Sequence, residues 1–191
     1  MINATPISLD RFSAALLFAA RQHGVATKKG QPEIPFFHHC LEVAHTLIRI
    51  AKIRDATTLI AALLHDTIEH ADTDPQAIRE RFGEDVLAIV QEVSDDKHQP
   101  TEIRRKRQLA QIPQLSHPAR LIRLADKFCN LLDRVQHPPP QWSAADLQTY
   151  CKWSRSAVAA LRGSNSALEQ AYEQRYRKLL DPQSGENFIA G

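Results

Sequence analysis

Leu59-Ile60-Ala61-Ala62-Leu63-Leu64 runs without a polar break into His65-Asp66. A helix built on that stretch is apolar on every side, so other elements have to enclose it. The ionisable pair at its end then sits where desolvation costs several kcal/mol per ion unless something compensates it. The chain therefore needs a layer of partners around one central helix and a chemical reason for the pair.

The partners are helical by their periodicity. Residues 10–23 place Phe12, Leu16, Phe18, Ala19 and Ala20 on a 3.6-residue repeat, with Ser8 or Asp10 as N-cap. A polar loop over residues 24–35 carries Lys28, Lys29, Gly30, Pro32 and Pro35. Residues 37–52 turn Leu41, Ala44, Leu47 and Ile48 inward, and Asp55 caps the central helix, which is expected to run from Ala56 to about Glu69. Asp74-Pro75 opens a short helix that Gly83 closes, and another begins at Asp85. Residues 101–112 are basic and weakly amphipathic. Pro118 starts a helix through Leu121, Leu124, Phe128 and Leu132, which Pro138-Pro139-Pro140 breaks. Residues 143–161 and 166–180 complete the set. With no alternating pattern longer than four residues, no repeat and no linker, the expectation is an all-α fold. It forms a single helical domain over residues 1–181, followed by a polar tail, 182–191.

Composition narrows the function. At 191 residues, 43% hydrophobic and 24% charged, the chain can bury a core. A net charge of +2 argues against a dedicated nucleic-acid binder. The apolar run over residues 14–20, between Arg11 and Arg21, is too short to span a bilayer and has no cleavage site after it, so neither a membrane anchor nor a secretory signal is expected. Cys40, Cys129 and Cys151, odd in number and without CxxC spacing, read as reduced core thiols of a cytoplasmic protein. Trp142, Tyr150, Trp153, Tyr172 and Tyr176 read mostly as core, with a homodimer interface as another use for some of them.

Among the 9 histidines, His65 has Asp66 beside it and Glu69 one turn on, so a continuous helix places all three on one face. A divalent cation relieves the repulsion between the carboxylates. Asp126, at the end of Leu124-Ala125, has Asn130 one turn on, and His39 begins an amphipathic helix. Two imidazoles and two carboxylates suit Mn²⁺, Fe²⁺ or Zn²⁺ better than Ca²⁺. Taken singly, His39 reads as a hydrogen-bonded core histidine and Asp126 as an ion-pair partner of Arg123 or Lys127. The His65-Asp66 dyad reads either as a site or as a structural network.

The segment 61–69, Ala-Ala-Leu-Leu-His-Asp-Thr-Ile-Glu, resembles the AALLHDxxED form of the HD-domain metal phosphohydrolases, that of the RelA/SpoT-homologue alarmone enzymes. Phe36-Phe37-His38-His39 is similar to the family's segment ending in its first ligand histidine, which selects His39 over His38. Leu124-Ala125-Asp126-Lys127-Phe128-Cys129-Asn130-Leu131 resembles LADKxxNL. Glu92-Val93-Ser94-Asp95-Asp96-Lys97 resembles the EVTDDK of stand-alone small alarmone hydrolases of the metazoan, SpoT-like type. The four segments occur in family order. The resemblance implies a single HD-domain bundle with His39, His65, Asp66 and Asp126 as ligands of Mn²⁺, and a guanosine tetra- or pentaphosphate substrate that loses its 3′-pyrophosphate. It further implies Glu69 and Asn130 at the attacking water or substrate, and Lys28, Lys29, Lys97 and Arg104 at the nucleotide.

Two departures bear on that expectation. His70 stands where the family has a second acidic residue; as a neutral imidazole it serves as a base, as a cation it meets a phosphate, and a solvent-facing histidine is the third reading. Lys28-Lys29 stands for the family's Arg-Lys, and lysine lacks the guanidinium plane that stacks on a base, which opens the site to an adenine alarmone. Removal of the NADPH 2′-phosphate and alarmone sensing without turnover are the other functions the same residues accommodate.

Overall fold

The computed structural model describes residues 8–180; the expected tail, 182–191, lies outside the described residues. The chain runs α1 (Leu9–His23), a hairpin of β1 (Thr27–Lys28) and β2 (Gln31–Pro35), α2 (Phe37–Arg49), α3 (Ala56–Leu64), α4 (Thr67–Ala71), α5 (Pro75–Phe82) and α6 (Glu84–Glu92). Then come α7 (Thr101–Gln111), a 3₁₀ turn (Ile112–Gln114), α8 (His117–Gln136), α9 (Ala144–Ala160) and α10 (Ser166–Leu180).

Helix α3 is the axis of the bundle. Every residue from Thr58 to Leu64 is buried, and α1, α2, α6 and α8 pack around it. Asp55 starts it: its carboxylate accepts from the Thr58 amide at 2.8 Å and the Thr58 hydroxyl at 2.6 Å. Ser8, Asp74, Ser116 and Ser143 cap α1, α5, α8 and α9 in the same manner. Helices α9 and α10 buttress the outer side of α8, where the Tyr172 hydroxyl meets Ser154 Oγ at 2.8 Å and Arg175 donates to the Phe128 carbonyl at 3.1 Å.

The structure departs from the expected elements in two places, both at the site. The central helix stops at Leu64 rather than Glu69. His65 Nδ1 donates to the Ala62 carbonyl at 2.8 Å and Thr67 Oγ1 to the Leu64 carbonyl at 2.7 Å. Side-chain donors thus take carbonyls that amide donors take in a continuing helix, and the axis breaks at His65-Asp66. The polar loop, in turn, contains the antiparallel hairpin. Its turn glycine, Gly30, has φ +84°, and a Cβ there would lie 2.3 Å from the His137 carbonyl oxygen. Only glycine lets the turn sit against the end of α8, which brings Lys28 and Lys29 to the mouth of the site.

All three cysteines are free and buried. Burial pushes the thiol of Cys129 up to about 12 and that of Cys151 up to about 11. At about pH 8, iodoacetamide is therefore expected to modify Cys151 on the order of a hundredfold, and Cys129 on the order of a thousandfold, more slowly in the native protein than in denaturant, read by peptide mass mapping.

Candidate metal and polyanion site

Four side chains from three elements converge where α3 ends. His39 comes from the first turn of α2, His65 and Asp66 from the break after α3, and Asp126 from the middle of α8. His39 Nε2 lies 3.1 Å from Asp126 Oδ1 and 3.9 Å from Asp66 Oδ2. His65 Nε2 lies 3.4 Å from Asp66 Oδ2 and 4.0 Å from Asp126 Oδ1. Donor atoms of His39, His65 and Asp126 all fall within 4.8 Å of one another. Because the Ala62 carbonyl takes the proton of His65 Nδ1, Nε2 carries the lone pair and points at the carboxylates. That nitrogen is buried without a hydrogen-bond partner among the described residues. An orphaned imidazole lone pair facing two carboxylates fits a divalent cation and is poorly served by hydrogen bonding alone.

Electrostatics keep the carboxylates charged. Burial pushes Asp126 up, but the Lys127 ammonium at 2.8 Å, the His39 bond and His65 outweigh it and hold the carboxyl well below its ordinary range. Asp66 is likewise depressed, with His65, His70 and His39 overcoming its burial. Asn130 donates to Asp126 Oδ1 as well. Glu69 goes the other way: burial, then Asp66 and Asp95, raise it against the opposing pull of His70. It does not join the convergence point with His65. Its Oε1 accepts from Arg104 Nη1 at 2.9 Å and its Oε2 from the Asp95 amide at 3.1 Å. His70 lies between the two carboxylates, 3.6 Å from Glu69 Oε1 and 3.9 Å from Asp66 Oδ1, with its ring 5.2 Å from that of Phe36.

These groups line a cavity of about 310 Å³. A second cavity of about 400 Å³ shares Lys29, Gln108 and Arg134 with it and adds Arg104, Arg105, Trp142, Tyr150 and Trp153. Among the described residues Asp146 is the only acidic one lining the second cavity, so the two join a carboxylate-rich end to a strongly basic one. Arg105 lies 5.1 Å over the Trp153 ring and Arg134 5.8 Å over Trp142. Burial, then Arg134 and Arg104, lower the Lys29 ammonium, the signature of cations crowded together.

Other sequence candidates sit differently. Lys28 is buried and its Nζ is held by Asp133 at 2.7 Å and Glu42 at 3.0 Å. Lys97 pairs with Asp72 and lines neither cavity. His38 is exposed on Glu42. Sequence reading missed Arg134, which borders both cavities as Lys29 does, and Trp142, Tyr150 and Trp153 as cavity walls. Tyr150 is buried and the tryptophans pack against cations, so these rings are engaged within the chain. Of the two cations expected beside Asp126, Lys127 pairs with it at 2.8 Å, whereas Arg123 binds Asp95 at 3.1 Å.

The family described as HD domain matches residues 15–155. Guanosine-3′,5′-bis(diphosphate) 3′-pyrophosphohydrolase MESH1 of Danio rerio is 39% identical over 159 residues, which are 83% of this chain and 88% of that protein. MESH1 of Homo sapiens, under the same enzyme name, is 38% identical over 161 residues, 84% and 90% of the two chains. A solved chain of a metazoan SpoT ortholog, described as hydrolysing ppGpp, superposes with a TM-score of 0.85 at 36% identity, over 93% of this chain and all of that one. No helix of the described residues is long and apolar enough to cross a membrane.

Proposed function

Because the chain belongs to the HD-domain family, we propose that it is a guanosine-3′,5′-bis(diphosphate) 3′-pyrophosphohydrolase, using Mn²⁺ to release pyrophosphate and leave GDP or GTP. The observation that carries the reading is the junction of the two cavities across Lys29 and Arg134. A ligand that spans it meets a cation-binding end and a basic, aromatic-walled end, which suits a nucleotide phosphorylated at two separate positions.

His39, His65, Asp66 and Asp126 would hold the cation. When bound, it supplies Lewis acidity toward water and toward the phosphoryl oxygens. The chain's own residues do the rest. Glu69, raised by burial, is a stronger base than an ordinary carboxylate and accepts the proton of the attacking water. His70, within 4 Å of both Glu69 and Asp66, fills the family's second acidic position as a hydrogen-bonding group that orients the water. Asn130 spends one amide proton on Asp126 and keeps its carbonyl for a ribose or water hydroxyl. Lys29, Arg104, Arg105 and Arg134 bind the remaining phosphates. Water oxygen joins the phosphorus, the bond to the ribose 3′-oxygen breaks, and that oxygen leaves with a proton. Lys28, spent on Asp133 and Glu42, stays out of base contact, so base selection falls to the aromatic wall. A cytoplasmic location fits this substrate and the three free thiols.

Chelator-stripped protein is expected to leave guanosine tetraphosphate intact and, with Mn²⁺ restored, to yield GDP and pyrophosphate. Turnover without a cation, or none with Mn²⁺, Fe²⁺, Co²⁺ or Zn²⁺, overturns the reading. A higher kcat/KM on the adenine alarmone or on NADPH in the same assay replaces the substrate and leaves the centre standing.

A further inference from the structure

One potential donor at the convergence point has no part in the chemistry above. Cys40 follows His39 on α2 and is fully buried. Its Sγ lies with donor atoms of His65 and Asp66, all within 4.8 Å of one another. This trio shares His65 with the His39–His65–Asp126 group, so the sulfur lies next to two of the four expected ligands, His65 and Asp66. His65 supplies a second, independent observation. Its side chain is 4% exposed and its Nδ1 is tied to Ala62, so Nε2, lacking any hydrogen-bond partner among the described residues, is the atom turned to the carboxylates. Cys40 Sγ makes one hydrogen-bonding contact, to His23 Nε2 at 3.5 Å. Cys129 differs: its Sγ is taken up by Thr46 Oγ1 at 3.4 Å, and among the described residues it belongs to no donor group.

We propose that Cys40 is a sulfur ligand of this centre and tilts its affinity toward thiophilic divalent cations, those of the Zn²⁺ and Co²⁺ class, over Mn²⁺. The proposal rests on the reading of His65 and Asp66 as cation ligands. Mn²⁺ stands at the weak end of the divalent affinity order for any given donor set, and a soft thiolate widens its distance from Co²⁺ and Zn²⁺. Coordination takes Cys40 as the thiolate, and its proton is released to solvent. Mn²⁺ then binds through imidazole and carboxylate, while Co²⁺ and Zn²⁺ recruit sulfur in addition. A cysteine here costs the fold nothing as a small core residue, which is how the position carries a donor without disturbing α2.

The test is a Co²⁺ titration of the stripped full chain, followed by absorption. Wild type is expected to develop a near-ultraviolet sulfur-to-cobalt charge-transfer band in step with the visible ligand-field bands. Cys40→Ala is expected to keep the ligand-field bands, lose the charge-transfer band and bind Co²⁺ at least about tenfold more weakly, a loss that even outer-shell partners of a metal can cause. Its Mn²⁺ affinity, read from the electron paramagnetic resonance of free Mn²⁺, is expected to be unchanged. Cys129→Ala and Cys151→Ala are expected to retain the charge-transfer band. If Cys40→Ala does not fold, that retention still assigns the sulfur to Cys40 by elimination, and Cys40→Ser repeats the measurement with a closer shape. Ligand-field bands without charge transfer in wild type overturn the sulfur ligand and leave the centre intact. Absence of Co²⁺ uptake by wild type overturns the centre and this proposal together.

Discussion

His65→Ala is expected to abolish cation uptake and to lower hydrolysis of guanosine tetraphosphate by at least about 10³-fold, since several kcal/mol of transition-state stabilisation leave with the cation and each 1.4 kcal/mol is a factor of ten. The effect on the fold should be much smaller. The substitution removes one hydrogen bond, from Nδ1 to the Ala62 carbonyl, and leaves that buried acceptor unpaired. Such a loss costs about 1–3 kcal/mol, or roughly 2–12 °C of Tm for a chain of this size. Helix content by circular dichroism at 25 °C is therefore expected to match wild type while equilibrium dialysis shows no bound cation. Retained turnover in a folded His65→Ala protein would remove the convergence point from the reaction. Loss of turnover with cation uptake intact would assign His65 to substrate or water instead.

What the sequence discloses about this centre follows from how local each determinant is. Capping residues and proline positions act within a turn, so the starts of α1, α3, α5, α8 and α9 are readable from Ser8, Asp55, Asp74-Pro75, Pro118 and Ser143. The apolar stretch before His65 marks a buried axis for the same reason. The break at His65-Asp66 is less visible, because it depends on two side-chain protons being committed to carbonyls that a continuing helix would use itself. The hairpin at 27–35 escapes a period-two reading because its strands cover two and five residues, two of them prolines.

Long-range pairing decides the remaining positions. Arg123 and Lys127 flank Asp126 by sequence, yet only Lys127 binds it, while Arg123 reaches Asp95. Glu69, carried on α4 beyond the break, turns to Arg104 and the Asp95 amide, which makes α7 part of the site wall although no residue of that helix is buried. A basic run such as residues 104–107 normally marks a solvated helix face; here the cavity on its inner side gives Arg104 and Arg105 a second environment. Cys40 is the clearest case. As a residue type it reads as core, and only the fold sets it beside His65 and Asp66.

Lys28 shows the opposite pattern, a residue whose type suggests a ligand contact and whose ammonium is held by two carboxylates, and Lys28→Met is expected to cost about 3 kcal/mol of stability. Its Nζ bridges Asp133 at 2.7 Å and Glu42 at 3.0 Å, with the Lys28 side chain 6% exposed. Methionine fills most of the same volume, so the loss comes from two carboxylates left without their counterion rather than from a cavity. Asp133, 14% exposed, bears most of it; Glu42, 36% exposed, recovers part of its solvation from water, which places the figure at the low end of the 3–5 kcal/mol typical of broken buried pairs. For a chain of this length that is a fall in Tm of roughly 6–12 °C. Burial pulls the ammonium down, but Asp133 and Glu42 raise it further, so its pKa lies above the ordinary 10.5. A raised base stabilises fully below its unfolded value and stops doing so as pH passes its folded one. The difference in stability between wild type and Lys28→Met should accordingly stay constant through neutral pH and shrink only in strong alkali. Adding Asp133→Asn to Lys28→Met removes the more buried orphan charge and is expected to recover stability, a coupling measurable by a double-mutant cycle in urea. A variant with wild-type Tm and a raised KM would return Lys28 to the substrate.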